Sequence, residues 1–165
     1  MSNVNKLIGG SLLGIGTYLL LKGNNNECPK ATQDVLLNTR NRNIAIKNPL
    51  IGYGPANPSV ENAEFWNEYA QSFEPTGSVV TEEEVEAVKG MRCGNCIAFD
   101  ISPRMEKCLP PSDEYDALAV QSRAVLGYCH MHHFKCASTR TCRTWAVGGP
   151  ITEDSVSLEW QNKSS

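Results

Sequence analysis

The run MRCGNCIAFD, residues 91–100, opens the cysteine-rich half of this chain and carries a Cys-x-x-Cys motif. Soft thiolates at such short spacing can chelate zinc, copper(I) or an iron–sulfur cluster. The same thiols can instead pair as disulfides and hold together a small domain with a thin core. Six of the seven cysteines of the chain fall within fifty residues, namely Cys93, Cys96, Cys108, Cys129, Cys136 and Cys142.

The charge of the chain is unevenly distributed. Residues 1–50 hold six Lys and Arg against two Asp and Glu, a balance of +4. Residues 51–165 hold nine against sixteen, a balance of −7. Proteins that grip nucleic acid usually need a basic face to neutralise phosphates. We therefore expect no direct nucleic-acid binding by the cysteine-rich half.

An apolar run near the N-terminus, residues 7–21, lies between Lys6 and Lys22. As a helix it would span about 22 Å, less than the roughly 30 Å hydrocarbon core of a bilayer. We predict an apolar N-terminal helix over residues 1–22 that inserts into a protein assembly or a membrane. A signal or lipoprotein-like leader and a buried soluble helix are the alternatives. The leucines expected to make these contacts are Leu7, Leu12, Leu13, Leu19, Leu20 and Leu21.

Residues 23–58 are predicted to form an extended linker arm. The stretch 23–30 is polar and rich in asparagine, and the three prolines of residues 48–58 fix φ and remove backbone donors. The stretch 31–47 has apolar residues without a clean helical period, which leaves open an extended segment or a short helix followed by a strand. Cys28 lacks the apolar lead-in that lipid attachment requires, so we predict an unpaired thiol there.

Residues 59–151 are predicted to form the folded domain. A helix is expected over residues 60–73, where aromatic residues line one side. A second helix is expected over residues 82–89, with Thr81 and Glu84 as its capping box and Gly90 at its end. The fold class is a small α-rich irregular domain, α+β with little regular sheet, stapled by cysteines or a metal. Residues 152–165 are expected to form a polar tail.

The order CGNCIAFD, then Cys108, then Gly-Tyr-Cys at residues 127–129 resembles the high-potential iron–sulfur proteins. In that family four cysteines hold a [4Fe–4S] cube. The resemblance covers residues 93–129, where Tyr128 stands in place of the family's usual tryptophan. It implies Phe99 and Tyr128 as aromatics that shield the cluster from water. The ligands it implies are Cys93, Cys96, Cys108 and Cys129, and either Cys136 or Cys142 can replace Cys108.

A broader resemblance covers most of residues 31–151. The segments ATQDVLLNTRNRNIAIK, IGYGPANP, CGNCIAFDISPRM, GYCHMHHFKC and RTCRTWAVGGPI are similar to small proteins encoded by tailed bacteriophages of aquatic bacteria. This resemblance implies a virion structural protein whose partners are other virion proteins and whose location is the virion. It also implies that the chain is not an enzyme.

Other functions remain open at this point. Cys93, Cys96, Cys129 and a histidine among residues 130–133 would make a Cys₃His zinc site. The cysteines could also form disulfides alone, in any of fifteen full pairings of six. A membrane-tethered iron–sulfur electron carrier, with residues 7–21 as anchor, is the main functional alternative. A binding module stapled by zinc or disulfides is the third.

Overall fold

The computed structural model describes residues 27–54, 63–109 and 124–163. The apolar helix predicted over residues 1–22, with its leucines, lies outside these residues. Within the described part, the helices are too short or too polar to cross a bilayer. The helices are α1 (Lys30–Gln33), α2 (Val35–Lys47), α3 (Ala63–Gln71), α4 (Glu82–Lys89), α5 (Pro103–Glu106) and α6 (Asp154–Lys163), with a 3₁₀ turn at Cys93–Asn95. The strands are β1 (Phe99–Asp100), β2 (Leu126–Cys129) and β3 (Phe134–Ala137).

The three strands form one small antiparallel sheet in the order β1-β2-β3. Cys129 on β2 lies between Phe99 on β1 and Phe134 on β3, and Gly127 faces Cys136. A side chain at Gly127 would not fit, because its Cβ would lie 2.4 Å from the Phe99 ring. The described part of the chain therefore has a small mixed fold with little regular sheet, as predicted.

Helices α3 and α4 pack together, and both were predicted from local sequence. Trp66 and Tyr69 of α3 are fully buried and share a core cluster with Val88 of α4. At the start of α4, the Thr81 N–H donates to the Glu84 carboxylate over 2.7 Å, and the Glu84 N–H donates back to the Thr81 hydroxyl. This is the predicted capping box, and Gly90 follows as the C-cap.

The prediction of an extended arm over residues 23–58 is wrong in its central part, which is helix α2. The side chain of Asp34 caps α2 by accepting from the Leu37 N–H over 2.9 Å. The helix meets edge strand β3 through a buried polar contact, since Asn38 Oδ1 accepts from the Lys135 N–H over 2.8 Å. A polar residue on the buried face breaks the apolar period, and for that reason the sequence pattern did not indicate a helix.

The prediction of a polar tail over residues 152–165 is also corrected, because residues 154–163 form helix α6. Ser157 of α6 is fully buried and accepts a 3.1 Å hydrogen bond from the guanidinium of Arg104. Gln161 donates over 2.9 Å to the carbonyl of Glu27. This helix is held by polar contacts, which a search for apolar periodicity does not detect.

Candidate metal centre

Five cysteines from four separate segments of the chain line one small cavity. All five have free sulfurs, and the cavity encloses about 10 Å³, room for about one water molecule. The described residues of its wall are Cys93, Cys96, Cys129, Cys136 and Cys142, together with the aromatic residues Phe99 and Trp145. This wall is therefore made of soft sulfur donors and apolar rings.

The Cys-x-x-Cys motif forms the 3₁₀ turn, in which the Cys96 N–H donates to the Cys93 carbonyl over 2.9 Å. The turn docks on the segment that follows β3. Cys93 N–H donates to the Arg140 carbonyl and Gly94 N–H to the Ser138 carbonyl, each over 2.8 Å. These bonds dock the turn, whose two thiols line the cavity together with Cys129, Cys136 and Cys142.

The sulfur of Cys129 lies at the end of β2, where the chain turns sharply. The turn closes with a 2.8 Å bond from the His133 N–H to the Cys129 carbonyl, and His133 has φ 54°. Burial raises the pKa of the Cys129 thiol well above its ordinary value, while the N–H groups of His132 and Met131 donate to its sulfur and oppose that rise. Such N–H donors favour a thiolate or a metal-bound sulfur.

Cys142 has a similar set of donors. Its sulfur lies 3.2 Å from the Thr144 hydroxyl and also receives the Thr144 N–H. Burial raises the pKa of this thiol to about 11, and the Thr144 contacts oppose the rise. The Thr144 hydroxyl is in turn 2.6 Å from Nε2 of His132. With His132 as donor, the hydroxyl proton is directed at the sulfur.

Cys136 differs from these two residues. It lies in the middle of β3, is 1% exposed, and its side chain hydrogen-bonds to Cys93. This thiol–thiol contact, together with burial, raises the pKa of Cys136 well above its ordinary value. Cys136 is thus the fifth thiol of the site, hydrogen-bonded to the first cysteine of the Cys-x-x-Cys turn.

The prediction of Cys108 as a ligand is wrong, because its sulfur is bonded to Cys28 in a disulfide. The prediction of Cys28 as an unpaired thiol is wrong for the same reason. The bridge joins residues 80 apart in sequence. The fifteen pairings considered for the six clustered cysteines left out Cys28, so none of them contained this bridge. Cys136 and Cys142, the two predicted replacements for Cys108, both line the cavity.

Of the two predicted shielding aromatics, Phe99 lines the cavity and Tyr128 does not. Tyr128 packs in a separate cluster with Met105 and Cys108. Neighbouring side chains of a strand point to opposite faces of the sheet, so Tyr128 and Cys129 cannot face one cavity. Sequence reasoning missed Trp145, although its position three residues after Cys142 was a usable signal.

None of the three histidines that could complete a Cys₃His zinc site lines the cavity among the described residues, and the ring of His132 reaches it only through the Thr144 hydroxyl. His130 is buried with its Nε2 2.7 Å from the carboxylate of Asp100. Burial alone would raise the pKa of Asp100, but hydrogen bonds from His130, Ser157 and Ser102 hold it below its ordinary value. Among the described residues of the cavity wall there is no histidine. The donor set is therefore all sulfur.

Within residues 27–54, 63–109 and 124–163, no group of three or more Cys, His, Asp or Glu side chains is already arranged to hold a metal ion. The five thiols share a cavity wall without forming a coordination polyhedron, so ligation requires their side chains to turn. Metal binding would also release protons, because burial favours the neutral thiols. Comparison of the chain with protein-family models, with curated proteins and with solved structures finds no match.

Proposed function

We propose that this protein binds a [4Fe–4S] cluster through four of its five cavity cysteines, as a structural staple of a bacteriophage virion protein. One observation carries the cluster proposal: five reduced thiols from four chain segments meet at one cavity walled by sulfur and aromatic rings. Four cysteine thiolates are the usual ligands of a [4Fe–4S] cluster.

The ligands in this proposal are Cys93, Cys96, Cys129 and Cys142. The sulfurs of Cys129 and Cys142 receive backbone N–H groups, which stabilise charge on a ligating sulfur. Cys93 and Cys96 are presented by one turn at the same cavity. We leave Cys136 outside the ligand set because its surroundings favour the neutral thiol: the hydrogen bond to Cys93, burial and the nearby thiols all raise its pKa.

The thinness of the core supports a structural role. Three of the seven buried residues in the central cluster are cysteines and two are alanines, leaving Phe99 and Phe134 as the large ones. A core of this kind buries little apolar area, and small domains commonly add a metal or disulfides to compensate. The residues that exclude water are Phe99 and Trp145, and the indole of Trp145 donates over 2.8 Å to Asn95 of the Cys-x-x-Cys turn.

A single zinc ion held by four thiolates is the second candidate, and the cavity volume favours it. About 10 Å³ accommodates one ion, whereas a cube requires the cysteine side chains to move apart. Zinc–sulfur bonds are about 2.3 Å long, so four ligands would have to close in on one point. The two candidates differ in colour and in metal content.

The test is anaerobic purification of the full chain, followed by its visible absorbance and its iron, sulfide and zinc content. A brown protein with about four irons per chain supports the cluster. A colourless protein with about one zinc replaces it with the Cys₄ site. Absence of both metals from protein whose five thiols remain titratable would overturn metal binding. Cys142→Ser should lose the metal, and Cys108→Ser, outside the cavity, is the matched control.

The virion role rests on the resemblance to phage proteins and is supported by the Cys28–Cys108 disulfide. Disulfides persist in oxidising settings, which include virion surfaces. Mass spectrometry of purified particles should find the chain in stoichiometric copies. Deleting residues 1–22 should impair its incorporation into particles. If the deletion instead releases a redox-cycling protein from membranes, the chain is a tethered electron carrier.

A further inference from the structure

The fifth thiol has no role in a four-ligand site, yet it is placed against one of the proposed ligands. Cys136 and Cys93 line the same cavity and are hydrogen-bonded through their side chains. The two residues belong to segments that are docked on each other, because Cys93 and Gly94 donate backbone hydrogen bonds to Arg140 and Ser138 just after β3. The fold therefore holds the turn that carries Cys93 beside the end of the strand that carries Cys136.

We propose that Cys136 is the resolving thiol of Cys93: in the metal-free protein the two form a disulfide that closes the site to metal until it is reduced. The proposal rests on the proposed function only in taking Cys93 as a metal ligand. A metal bound to Cys93 protects its sulfur, so the disulfide forms only in the empty site. The oxidant that forms this disulfide is a small peroxide, which can enter the small cavity where a larger oxidant cannot.

The reaction balances with hydrogen peroxide as the oxidant. Cys93 is the more exposed residue of the two, at 8% against 1%. Its sulfur attacks one peroxide oxygen and becomes a sulfenic acid, with release of one water. The sulfur of Cys136 then attacks the Cys93 sulfur, the S–S bond forms, and a second water leaves. Two thiols and one peroxide thus give one disulfide and two waters. A dithiol reductant reduces this disulfide back to two thiols.

Without Cys136 the outcome at Cys93 differs. A sulfenic acid that meets no thiol is oxidised further to sulfinic acid, which reductants do not restore. Cys136 would therefore preserve a damaged site for reloading, which explains a buried fifth cysteine beside four ligands. Cys96 belongs to the same turn as Cys93, but the side chain of Cys136 hydrogen-bonds to Cys93, so we expect the disulfide to form with Cys93.

The experiment treats metal-free, full-length protein with hydrogen peroxide, alkylates the remaining thiols and maps crosslinks by mass spectrometry after trypsin. Trypsin isolates Cys136 in the peptide 136–140 and places Cys93 with Cys96 in the peptide 93–104. We expect these two peptides to be linked. The link should disappear in Cys93→Ser and persist in Cys96→Ser, and the Cys28–Cys108 link serves as the internal marker of a native fold.

The outcomes are distinct. Peroxide-treated wild type should lose metal uptake and regain it with dithiothreitol, whereas Cys136→Ser should lose it permanently. A link of peptide 136–140 to the Cys129 or Cys142 peptide, or no link in protein that keeps its Cys28–Cys108 bridge, would overturn the proposal. A Cys93–Cys136 link in a protein that never takes up metal would refute the proposed function and leave the thiol pair standing.

Discussion

Cys28 and Cys108 are joined by a disulfide across 80 residues of sequence, outside the cavity that holds the five free cysteines. The bridge ties the segment just before α1 to the residues just after α5, beside Ala31, Met105 and Tyr128. The cysteines of this chain thus fall into two classes. One pair is an oxidised cross-link, and the other five are free thiols that line one cavity.

Removing this disulfide should destabilise the fold without affecting the metal. A closed loop of this length corresponds to about 4.5 kcal/mol of unfolding free energy in the chain-entropy description. Cys108→Ser and Cys28→Ser remove the same bridge, so each should lower the urea midpoint as much as the other. The metal content per folded chain should stay at the wild-type value in both. Loss of metal in both variants would instead place the bridge within the site.

The hydroxyl of Thr144 should tune the sulfur of Cys142. Thr144→Val keeps the shape of the side chain but removes the hydroxyl that lies 3.2 Å from the sulfur. Removing a hydrogen bond to a metal ligand typically lowers metal affinity roughly 10–100-fold. We expect Thr144→Val to lower the affinity within that range, measured in competition with a chelator. Thr144→Ser retains the hydroxyl and is the control. Equal affinities of the Val and Ser variants would exclude a role for this contact.

The close approach at Gly127 should couple the sheet to the cavity. In Gly127→Ala the new Cβ meets the Phe99 ring at 2.4 Å and the Asp100 carbonyl at 2.8 Å. Overpacking of this kind costs about 1–3 kcal/mol. We expect a lower melting temperature and reduced metal retention, because Phe99 is part of the cavity wall. Val125→Ala, at a half-exposed position two residues earlier, should change neither.

The metal-free protein should lose stability in alkaline solution. Burial raises the pKa of Cys142 from its ordinary value of 9.0 to about 11, and that of Cys129 also rises. Above pH 9 the unfolded chain releases these protons while the folded chain retains them, so unfolding becomes more favourable. The contribution of Cys142, about 3 kcal/mol, is fully present below pH 9 and is lost as pH rises through 11.

Anaerobic urea titrations of metal-free protein at pH 7, 9, 10 and 11 measure this loss. Cys142→Ser should show a shallower decline, because one of the titrating thiols is absent. A stability that is flat from pH 9 to 11 in the wild type would mean that these thiols ionise as freely in the fold as in the unfolded chain.

Features of the fold that depend on near neighbours in sequence were readable without the structure. Helix α4 was predicted with its capping box because Thr81 and Glu84 are three residues apart and act on each other's backbone. Helix α3 was predicted because Trp66 and Tyr69 lie on one helical face. The Cys-x-x-Cys motif likewise indicated a turn that presents two thiols, and Cys93 and Cys96 are both in the cavity.

Features that depend on distant partners were not readable. Helix α2 buries Asn38 against the backbone of Lys135, and α6 buries Ser157 against Arg104, so neither carries an apolar stripe. The pairing of Cys28 with Cys108 likewise has no local signature, since loop closure depends on where the rest of the chain brings the two sulfurs.

The membership of the site has the same origin. Composition and spacing alone indicated a soft thiol cluster, because the chemistry of a cysteine is a property of the residue. Which cysteines share the cavity followed from the sheet: the strand register sets Cys136 opposite Gly127, and side-chain alternation turns Tyr128 away while Cys129 faces the cavity. Position in space depends on contacts summed over the whole chain, so only the folded structure could separate five donors from the disulfide pair.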